Sequence, residues 1–284
     1  MVFSKQRMIA MAMLIGILTL SCSPVSLLNL TISRAGYRVM RDFNYGSDPR
    51  QKLDLYVPDN LSTKAPVLLF FYGGSWDSGS KNLYLALGQA FASKGIVVAI
   101  ADYRLYPQVK YPAFLDDGAR AFAWVHTYVS RYGGDPTRIF VAGHSAGAYI
   151  AVMLAADREY LRKAGADPEW IHGVVGIAGP YNFLPLQDSN LISIFGGANR
   201  PETQPINYID GKRPPMLLAV GTWDATVLPR NTTEFAERLR SFGSPVDVRI
   251  YSHVGHIGIL LSLAPGLRWT TTLRDDIIQF VTSR

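Results

Sequence analysis

The stretch Arg138–Ala156, RIFVAGHSAGAYIAVMLAA, decides the fold of this chain. Residues 139–142 (IFVA) are a short apolar run typical of a buried strand, and the alanine-rich end of the stretch is typical of a buried helix. Between them, residues 143–147 (GHSAG) form a G-x-S-x-G motif on a sharp turn, where a Cβ on either glycine would crowd the strand or the helix. The pattern predicts that Ser145 projects its hydroxyl above the sheet edge. The Ala146 amide is expected to point into the same space from a helix N-terminus.

Apolar runs that suit buried strands alternate with helical segments along the rest of the chain. The predicted strands cover residues 39–45, 51–57, 67–72, 96–101, 139–142, 173–178, 216–220 and 247–251. The predicted helices cover residues 83–94, 115–131, 231–242 and 270–282, and residues 181–215 are rich in loops. This alternation predicts an α/β chain with a mostly parallel central sheet and helices on both faces. Sites in such sheets lie at the carboxyl ends of the strands, where Gly74, Ser145, Asp224 and His256 all fall.

Three residues in chain order suggest a nucleophile, an acid and a base. A serine hydroxyl needs a base to remove its proton, and the base in turn needs a carboxylate that fixes its tautomer. Ser145, Asp224 and His256 each follow a predicted strand in that order. Taken separately, Asp224 is interpreted as a turn residue or helix cap and His256 as a structural histidine. Their shared order and position favour the catalytic interpretation.

His253 is the alternative base, because it lies on the same predicted loop as His256. We prefer His256 because it lies five residues beyond the apparent strand end at Tyr251, which gives the chain room to turn back toward the nucleophile. Gly255 and Gly258 also flank it, and glycines allow unusual backbone angles. In the alternative, His253 is the base and His256 packs beside it.

The loop after the third predicted strand, residues 73–75 (GGS), has two interpretations. Its glycines let the backbone approach a ligand closely and aim N–H groups at a developing oxyanion, or they form a plain strand-ending turn. His144 and Trp76 are interpreted as structural residues. Asp102 and Arg104 are expected to pair with each other and so brace the wall of the site.

Residues 1–22 have the pattern of an export signal. Two basic residues precede residues 8–20, an apolar stretch of 13 without a charge, whereas a bilayer core needs about 20 residues. Ser21 and Cys22 resemble the end of a bacterial lipobox, so Cys22 is predicted to carry lipid and anchor the protein to a membrane surface. The alternative is an ordinary cleaved signal with an incidental cysteine.

Residues 23–40 are predicted to form a tether and a short helix, and residues 41–284 a single catalytic domain. Cys22 is the only cysteine, so no intramolecular disulfide is possible. The net charge of +6 falls to +4 without Lys5 and Arg7, and no basic run with interleaved aromatic residues is present. We therefore expect no nucleic-acid partner. We also expect no cofactor, because the sequence has no phosphate loop, dinucleotide fingerprint or Cys/His cluster.

Taken together, the motifs resemble the α/β-hydrolase superfamily, in the esterase and lipase group that includes hormone-sensitive-lipase-like carboxylesterases and bacterial feruloyl-esterase-type domains. They cover nearly the whole chain after the export signal, namely residues 51–58 (QKLDLYVP), 72–76 (YGGSW), 102–105 (DYRL), 143–147 (GHSAG), 221–224 (GTWD) and 255–256 (GH). The resemblance implies that the nucleophile, acid and base are Ser145, Asp224 and His256. It places the oxyanion-binding amides on Gly74, Ser75 and Ala146.

Two departures from the family's pattern concern the glycine loop. The family's loop usually begins with histidine and has a third glycine, where this chain has Tyr72 and Ser75. The Ser75 side chain is expected to narrow the acyl site, and Tyr72 leaves open how the loop is anchored.

The resemblance implies a serine carboxylesterase that hydrolyses short-acyl esters through an acyl-enzyme. An arylformamidase-like amidase and a feruloyl or acetyl-xylan esterase are alternatives within the same fold. A non-catalytic surface-binding protein on the same scaffold is the alternative from another class. With the export signal, the expected location is a membrane-anchored lipoprotein on the periplasmic or cell-surface side.

Overall fold

The computed structural model describes residues 32–284. The predicted export signal, Cys22 and the first part of the predicted tether lie outside the described residues.

Eight strands form one central sheet. They are β1 Tyr37–Asn44, β2 Lys52–Pro58, β3 Ala65–Phe71, β4 Val97–Ala101, β5 Gly134–His144, β6 Ile171–Ile177, β7 Met216–Gly221 and β8 Val246–Tyr251. Their order across the sheet is β1-β2-β4-β3-β5-β6-β7-β8. β2 runs antiparallel to both β1 and β4, and every other neighbouring pair is parallel. The prediction of a mostly parallel sheet is confirmed.

Eight α-helices are assigned among the described residues. They are α1 Leu85–Ala92, α2 Ala113–Tyr128, α3 Ala146–Ala156, α4 Glu159–Lys163, α5 Ser189–Phe195, α6 Arg230–Ser241, α7 His256–Leu261 and α8 Leu273–Thr282. Short 3₁₀ turns cover Lys81–Leu83, Val129–Tyr132, Pro168–Trp170, Pro201–Thr203, Pro205–Tyr208 and Pro265–Thr270. Within residues 32–284, none of the helices combines the length and the apolar character needed to cross a membrane.

The helices lie on both faces of the sheet, which explains the uninterrupted apolar runs in the sequence. α1 and α8 contact each other on one face, while α2 and α3 contact each other on the opposite face. All seven residues of β3 are therefore buried. α3 is buried along its entire length, because it lies between the sheet and α2. The Ala-rich sequence after the serine motif suits this position.

The carboxyl ends of the parallel strands meet at one edge of the sheet. Phe71 at the end of β3 pairs with Gly143 near the end of β5, and Gly221 at the end of β7 pairs with Tyr251 at the end of β8. The glycine loop, Ser145, Asp224 and His256 each follow one of these ends. The fold thus brings the four predicted parts of the site to one edge, as the sequence indicated.

The prediction of a short helix before residue 41 is wrong for the part that the structure describes. Residues 32–36 contain no helix, and β1 already begins at Tyr37, so the predicted boundary after residue 40 falls inside a strand. The reason is long-range pairing: Tyr37 lies opposite Pro58 in the β1–β2 ladder and is buried. The loop-rich segment 181–215 also contains α5 and two 3₁₀ turns.

Candidate active site

Ser145 lies on a strained turn between β5 and α3. Its backbone has φ 55° and ψ −123°, a positive-φ conformation that non-glycine residues rarely adopt. The turn is held by a 2.9 Å hydrogen bond from the Ser145 N–H to the carbonyl of Ile177. A Cβ on Gly143 would lie 2.2 Å from the Gly147 carbonyl oxygen, and one on Gly147 would lie 2.0 Å from the Phe71 carbonyl oxygen. The turn therefore requires both glycines of the motif.

The side chains of Ser145, His256 and Asp224 form one hydrogen-bonded chain. The Nε2 atom of His256 is 2.9 Å from Ser145 Oγ, and its Nδ1 atom is 2.8 Å from Asp224 Oδ2. Because the carboxylate only accepts, Nδ1 carries the hydrogen of the neutral ring and Nε2 presents its lone pair to the serine hydroxyl. This arrangement allows a proton to pass from Ser145 to His256.

Backbone amides hold the other side of the Asp224 carboxylate. Its Oδ1 atom accepts hydrogen bonds from the N–H groups of Thr226 at 3.0 Å and Val227 at 2.8 Å. Asp224 is only 2% exposed, so its two oxygens have fixed and different partners. The loop after β7 thus orients the carboxylate toward His256.

His256 is the histidine that the structure brings to Ser145, although two of the features expected around it differ. It is the first residue of α7 rather than a loop residue, and Gly255 before it has an extended backbone with φ −94° and ψ 179°. Gly258 lies within the helix, so neither glycine takes an unusual angle. The left-handed residue is instead His253, with φ 62°. The ring of His253 is exposed and packs edge-on against Trp223, with the ring centres 4.9 Å apart.

His144 lies behind His256 and holds its backbone. The buried His144 ring places Nε2 2.9 Å from the carbonyl oxygen of His256, so Nε2 must carry the hydrogen. Its Nδ1 atom has no hydrogen-bond partner among the described residues. Burial, with the neighbouring His256 second, lowers the pKa of His144 to about 4. His144 is therefore neutral near pH 7, in keeping with the structural role expected for it.

The glycine loop approaches Ser145 closely. A Cβ on Gly73 would lie 2.9 Å from Ser145 Cβ, so this position also requires glycine, a role that the sequence analysis did not assign. Gly74, Ser75 and Trp76 follow with φ angles of 132°, 48° and 60°. Ser75 and Ser145 line the same cleft. Ala146 is buried at the first position of α3. The oxyanion role of the Gly74, Ser75 and Ala146 amides stays a prediction.

Tyr72 anchors the start of this loop through a buried polar network. Its hydroxyl donates to Asp102 Oδ1 at 2.8 Å and accepts from Arg50 Nη2 at 2.7 Å. The same Arg50 group donates to the carbonyl of Gly79 at the far end of the loop. The Tyr103 hydroxyl donates to the Tyr72 carbonyl at 2.8 Å, and the two rings stack. Arg50 was missed in the sequence, where it looks like a turn residue.

The expected pairing of Asp102 with Arg104 is wrong. Asp102 instead accepts from the Tyr72 hydroxyl and from the Lys81 N–H at 2.8 Å. Arg104 binds the buried carboxylate of Asp117 on α2, with its Nη2 atom 2.7 Å from Asp117 Oδ1. The irregular backbone after β4 thus leaves each side chain with its own partner rather than with the other.

A cleft of about 460 Å³ opens beside Ser145. Ser75, Trp76 and Ser145 line it together with residues from segments 180–191 and 226–231. The Trp76 ring is buried against Tyr149 and Phe195, with ring centres 5.3 and 4.8 Å apart. This size is within the range of small-molecule sites. Sequence analysis did not identify segment 180–191 as a wall of the cleft, because its loops have no periodic pattern. Among residues 32–284, no group of three or more His, Cys, Asp or Glu side chains is arranged to hold a metal ion.

Comparisons with known proteins identify the family of this chain. The BD-FAE family model matches residues 53–239. A probable isoprenylcysteine alpha-carbonyl methylesterase of Arabidopsis thaliana is 32% identical over 246 residues, which are 78% of this chain and 52% of the relative. An isoprenylcysteine alpha-carbonyl methylesterase of the same plant is 30% identical over 266 residues, covering 86% of this chain and 62% of the relative. The chain thus spans between half and two thirds of the length of these curated relatives.

A solved structure supports the same fold. A truncated carbohydrate esterase from gut microbiota superposes with a TM-score of 0.75 at 20% identity, over 88% of this chain and 98% of its own. At this identity the likeness concerns the fold alone, and it confirms the expected α/β-hydrolase architecture. The family model covers most of the same region, including the serine motif and the acid-bearing loop. This chain therefore belongs to the BD-FAE family of the α/β-hydrolase superfamily.

Proposed function

We propose that the protein is a serine hydrolase of carboxylic esters. The hydrogen-bonded chain from Ser145 through His256 to Asp224, with distances of 2.9 and 2.8 Å, carries the proposal. Its nucleophile faces a cleft of about 460 Å³ that can hold a small ester. The two curated relatives are named as methylesterases, and these names support the same class of reaction.

The proposed reaction begins with acylation of Ser145. Nε2 of His256 takes the hydroxyl proton as Oγ attacks the ester carbonyl, and Asp224 stabilises the resulting imidazolium. The amides of Gly74, Ser75 and Ala146 are the proposed donors to the oxyanion of the tetrahedral intermediate. Collapse of the intermediate breaks the bond to the alkoxy oxygen, and His256 gives its proton to the departing alcohol.

Hydrolysis of the acyl-enzyme repeats the same steps with water. His256 takes a proton from a water molecule as that water attacks the acyl carbonyl, and the second tetrahedral intermediate forms in the same oxyanion site. His256 then protonates Ser145 Oγ as the carboxylic acid leaves. His144 supports both half-reactions by holding the carbonyl of His256 at 2.9 Å.

Short acyl groups suit the proposed site better than long ones. The exposed Ser75 and the buried Trp76 border the glycine loop and limit the space beside Ser145. A panel of phenyl and methyl esters of increasing acyl length tests this proposal, with methyl esters included because of the relatives' names. N-formyl aromatic amines, feruloyl sugars and acetylated xylan complete the panel and separate the amidase and the other esterase alternatives. Faster hydrolysis of long-chain triglycerides than of butyrate esters would contradict the short-acyl proposal.

A fluorophosphonate probe tests the serine hydrolase proposal directly. The wild-type protein should react at Ser145, and Ser145→Ala should fail to react and lose on the order of 10⁴-fold in ester hydrolysis. A folded wild-type protein that neither reacts with the probe nor cleaves any ester would be a binding protein on a hydrolase scaffold. That outcome would end the proposal.

Two alanine variants test the assignment of the base. His256→Ala should lose on the order of 10⁴-fold in rate on an activated ester. His253→Ala is the matched control, because its exposed ring contacts Trp223 rather than Ser145. The reverse ranking would move the base to His253.

We also propose that the protein is exported and anchored to a membrane by lipid on Cys22. The support is the sequence of residues 1–22, with its basic start, uncharged apolar stretch and Ser21-Cys22 ending. The domain would then act on the periplasmic or cell-surface side. Intact-mass analysis of the membrane fraction should find a lipid-modified N-terminal cysteine, and Cys22→Ser should release the protein. An unmodified N-terminus on the mature wild-type protein would rule out the anchor.

A further inference from the structure

Arg230 is the one charged side chain among the described residues that line the cleft beside Ser145. It is the first residue of α6 and is exposed to solvent. Most of the other lining side chains are apolar, including Trp76, Phe183 and Leu186. A positive charge therefore lies at the same cleft as the proposed nucleophile.

No carboxylate of the described chain forms an ion pair with this guanidinium. Arg230 takes part in none of the ion pairs formed within residues 32–284. Glu234 lies one turn further along α6, at a spacing where an ion pair can form, but its Oε2 atom accepts a 2.7 Å hydrogen bond from Asn182. Asp224, in the loop before α6, is committed to His256 and to two backbone amides.

We infer that Arg230 forms a subsite for an anionic group of the substrate, so that the preferred esters carry a carboxylate or a similar anion away from the bond that is cleaved. This inference rests on the proposed ester hydrolysis. A guanidinium presents a planar set of donors that matches a carboxylate or phosphate. The subsite selects among esters through binding and does not take part in the bond-breaking steps.

Matched pairs of esters test the subsite. 3-Acetoxybenzoate carries its anion on the alcohol side, and monophenyl adipate carries it on the acyl side. The primary amide of each compound is its neutral counterpart of nearly the same shape. Because the intrinsic reactivities of the two members differ, kcat/KM for the anion is divided by kcat/KM for the amide, and this ratio is compared between protein variants.

For at least one of the two pairs, the wild-type ratio should exceed that of Arg230→Gln by about twofold to fivefold, the size expected for one solvent-exposed charged contact. The difference should lie in KM for the anion and should shrink as salt is added. Arg230→Lys should keep part of it. Arg240→Gln is the control, since it removes an exposed arginine from the same helix, about 15 Å further along.

The outcomes separate this inference from the proposed function. Equal ratios in wild type and Arg230→Gln for both ester pairs would overturn the anionic subsite. The ester hydrolase proposal would remain intact if the ester bonds of the neutral, amide-bearing compounds were still cleaved and Ser145 still reacted with the fluorophosphonate probe. Equal loss of the preference in Arg230→Gln and Arg240→Gln would also overturn the inference, because it would show a general effect of net charge.

Discussion

His144 connects the serine motif to the backbone of the proposed base. Its ring is buried and its pKa lies at about 4, below the ordinary 6.5, chiefly because burial disfavours the charged form. Between about pH 4 and pH 6.5, His144 is protonated in the unfolded chain but neutral in the folded protein. The contribution to stability is therefore complete above about pH 6.5 and is lost as the pH falls toward 4.

Replacing His144 with glutamine should remove this pH dependence. The glutamine amide can still donate to the His256 carbonyl, but it does not titrate. Between about pH 7.5 and about pH 5, wild type should lose about 2 kcal/mol more free energy of unfolding than His144→Gln. Urea denaturation at the two pH values measures this difference, and titrations elsewhere in the chain cancel in the comparison. Equal losses in the two proteins would show that His144 titrates normally.

At the scale of the loop, Tyr72 shows how a substitution within a family motif is accommodated. At this position, where the family usually has histidine, the Tyr72 hydroxyl donates a hydrogen bond to Asp102 and accepts one from Arg50. Tyr72→Phe should lower kcat by about tenfold with little change in KM, because a less firmly held glycine loop positions the proposed oxyanion donors less well. It should also cost about 1–3 kcal/mol of stability, since buried polar partners lose a hydrogen bond.

Tyr37→Phe is the matched control for this prediction. Tyr37 is buried and its hydroxyl donates to the Ser33 carbonyl at 3.0 Å, near the start of β1 and away from the site. Steady-state kinetics on one activated ester, together with urea denaturation, should show a loss of stability in both variants and a loss of kcat only in Tyr72→Phe. A similar fall in kcat in both variants would indicate that Tyr72 acts only through stability.

The first turn of α3 packs directly against the end of β3. A Cβ on Gly147 would lie 2.0 Å from the Phe71 carbonyl oxygen and 2.5 Å from the Tyr72 carbonyl oxygen, and both are backbone atoms that cannot move alone. Gly147→Ala should therefore push the helix away from the glycine loop, costing about 1–3 kcal/mol of stability and most of the ester hydrolysis. Gly266→Ala is the control, because a Cβ there meets nothing within 4 Å. Thermal unfolding and an ester assay measure both effects, and wild-type activity in Gly147→Ala would refute the argument.

Features that depend on local sequence could be predicted, whereas long-range partners could not. The buried run of β3 and the serine turn are encoded by neighbouring residues, so both were placed to within a few residues. That Ser145, Asp224 and His256 lie together could be predicted because each follows a strand end at the same edge of the sheet. Arg50 was missed, since its partners Tyr72 and Asp102 are 22 and 52 residues away in the sequence and only packing brings them together.

The prediction of a helix before residue 41 was wrong for a related reason. A short amphipathic segment gains more by pairing along β2 than by forming an isolated helix. Eight residues, Tyr37–Asn44, therefore enter the sheet as a strand. The substrate class could not be decided from the sequence. It depends on the shape and charge of a cleft that is built from distant segments.

For the whole molecule, the chain enters the sheet at the edge opposite the candidate active site. Tyr37 lies beside Pro58 at the end of β2, which is next to the amino end of β4, whereas Ser145 follows the carboxyl end of β5. Ile32 is already buried in the domain. If Cys22 carries lipid, the ten residues from there to Ile32 reach at most about 35 Å. A domain of this size is about 45 Å across, so such a tether cannot pass around it to bring the site to the bilayer.

The proposed anchor should therefore leave the active site facing away from the membrane. On vesicles, lipidated protein and the soluble Cys22→Ser variant should hydrolyse a water-soluble ester with equal kcat/KM. For an ester embedded in the same bilayer, anchoring should give less than about a tenfold gain in rate, although tethering an accessible site typically gives about 10²-fold or more. Both rates are measured at equal protein concentration, with intact mass confirming the lipid on wild type. A gain of about 10²-fold on the embedded ester would mean that the site reaches the membrane, and the orientation argued from the strand directions would be wrong.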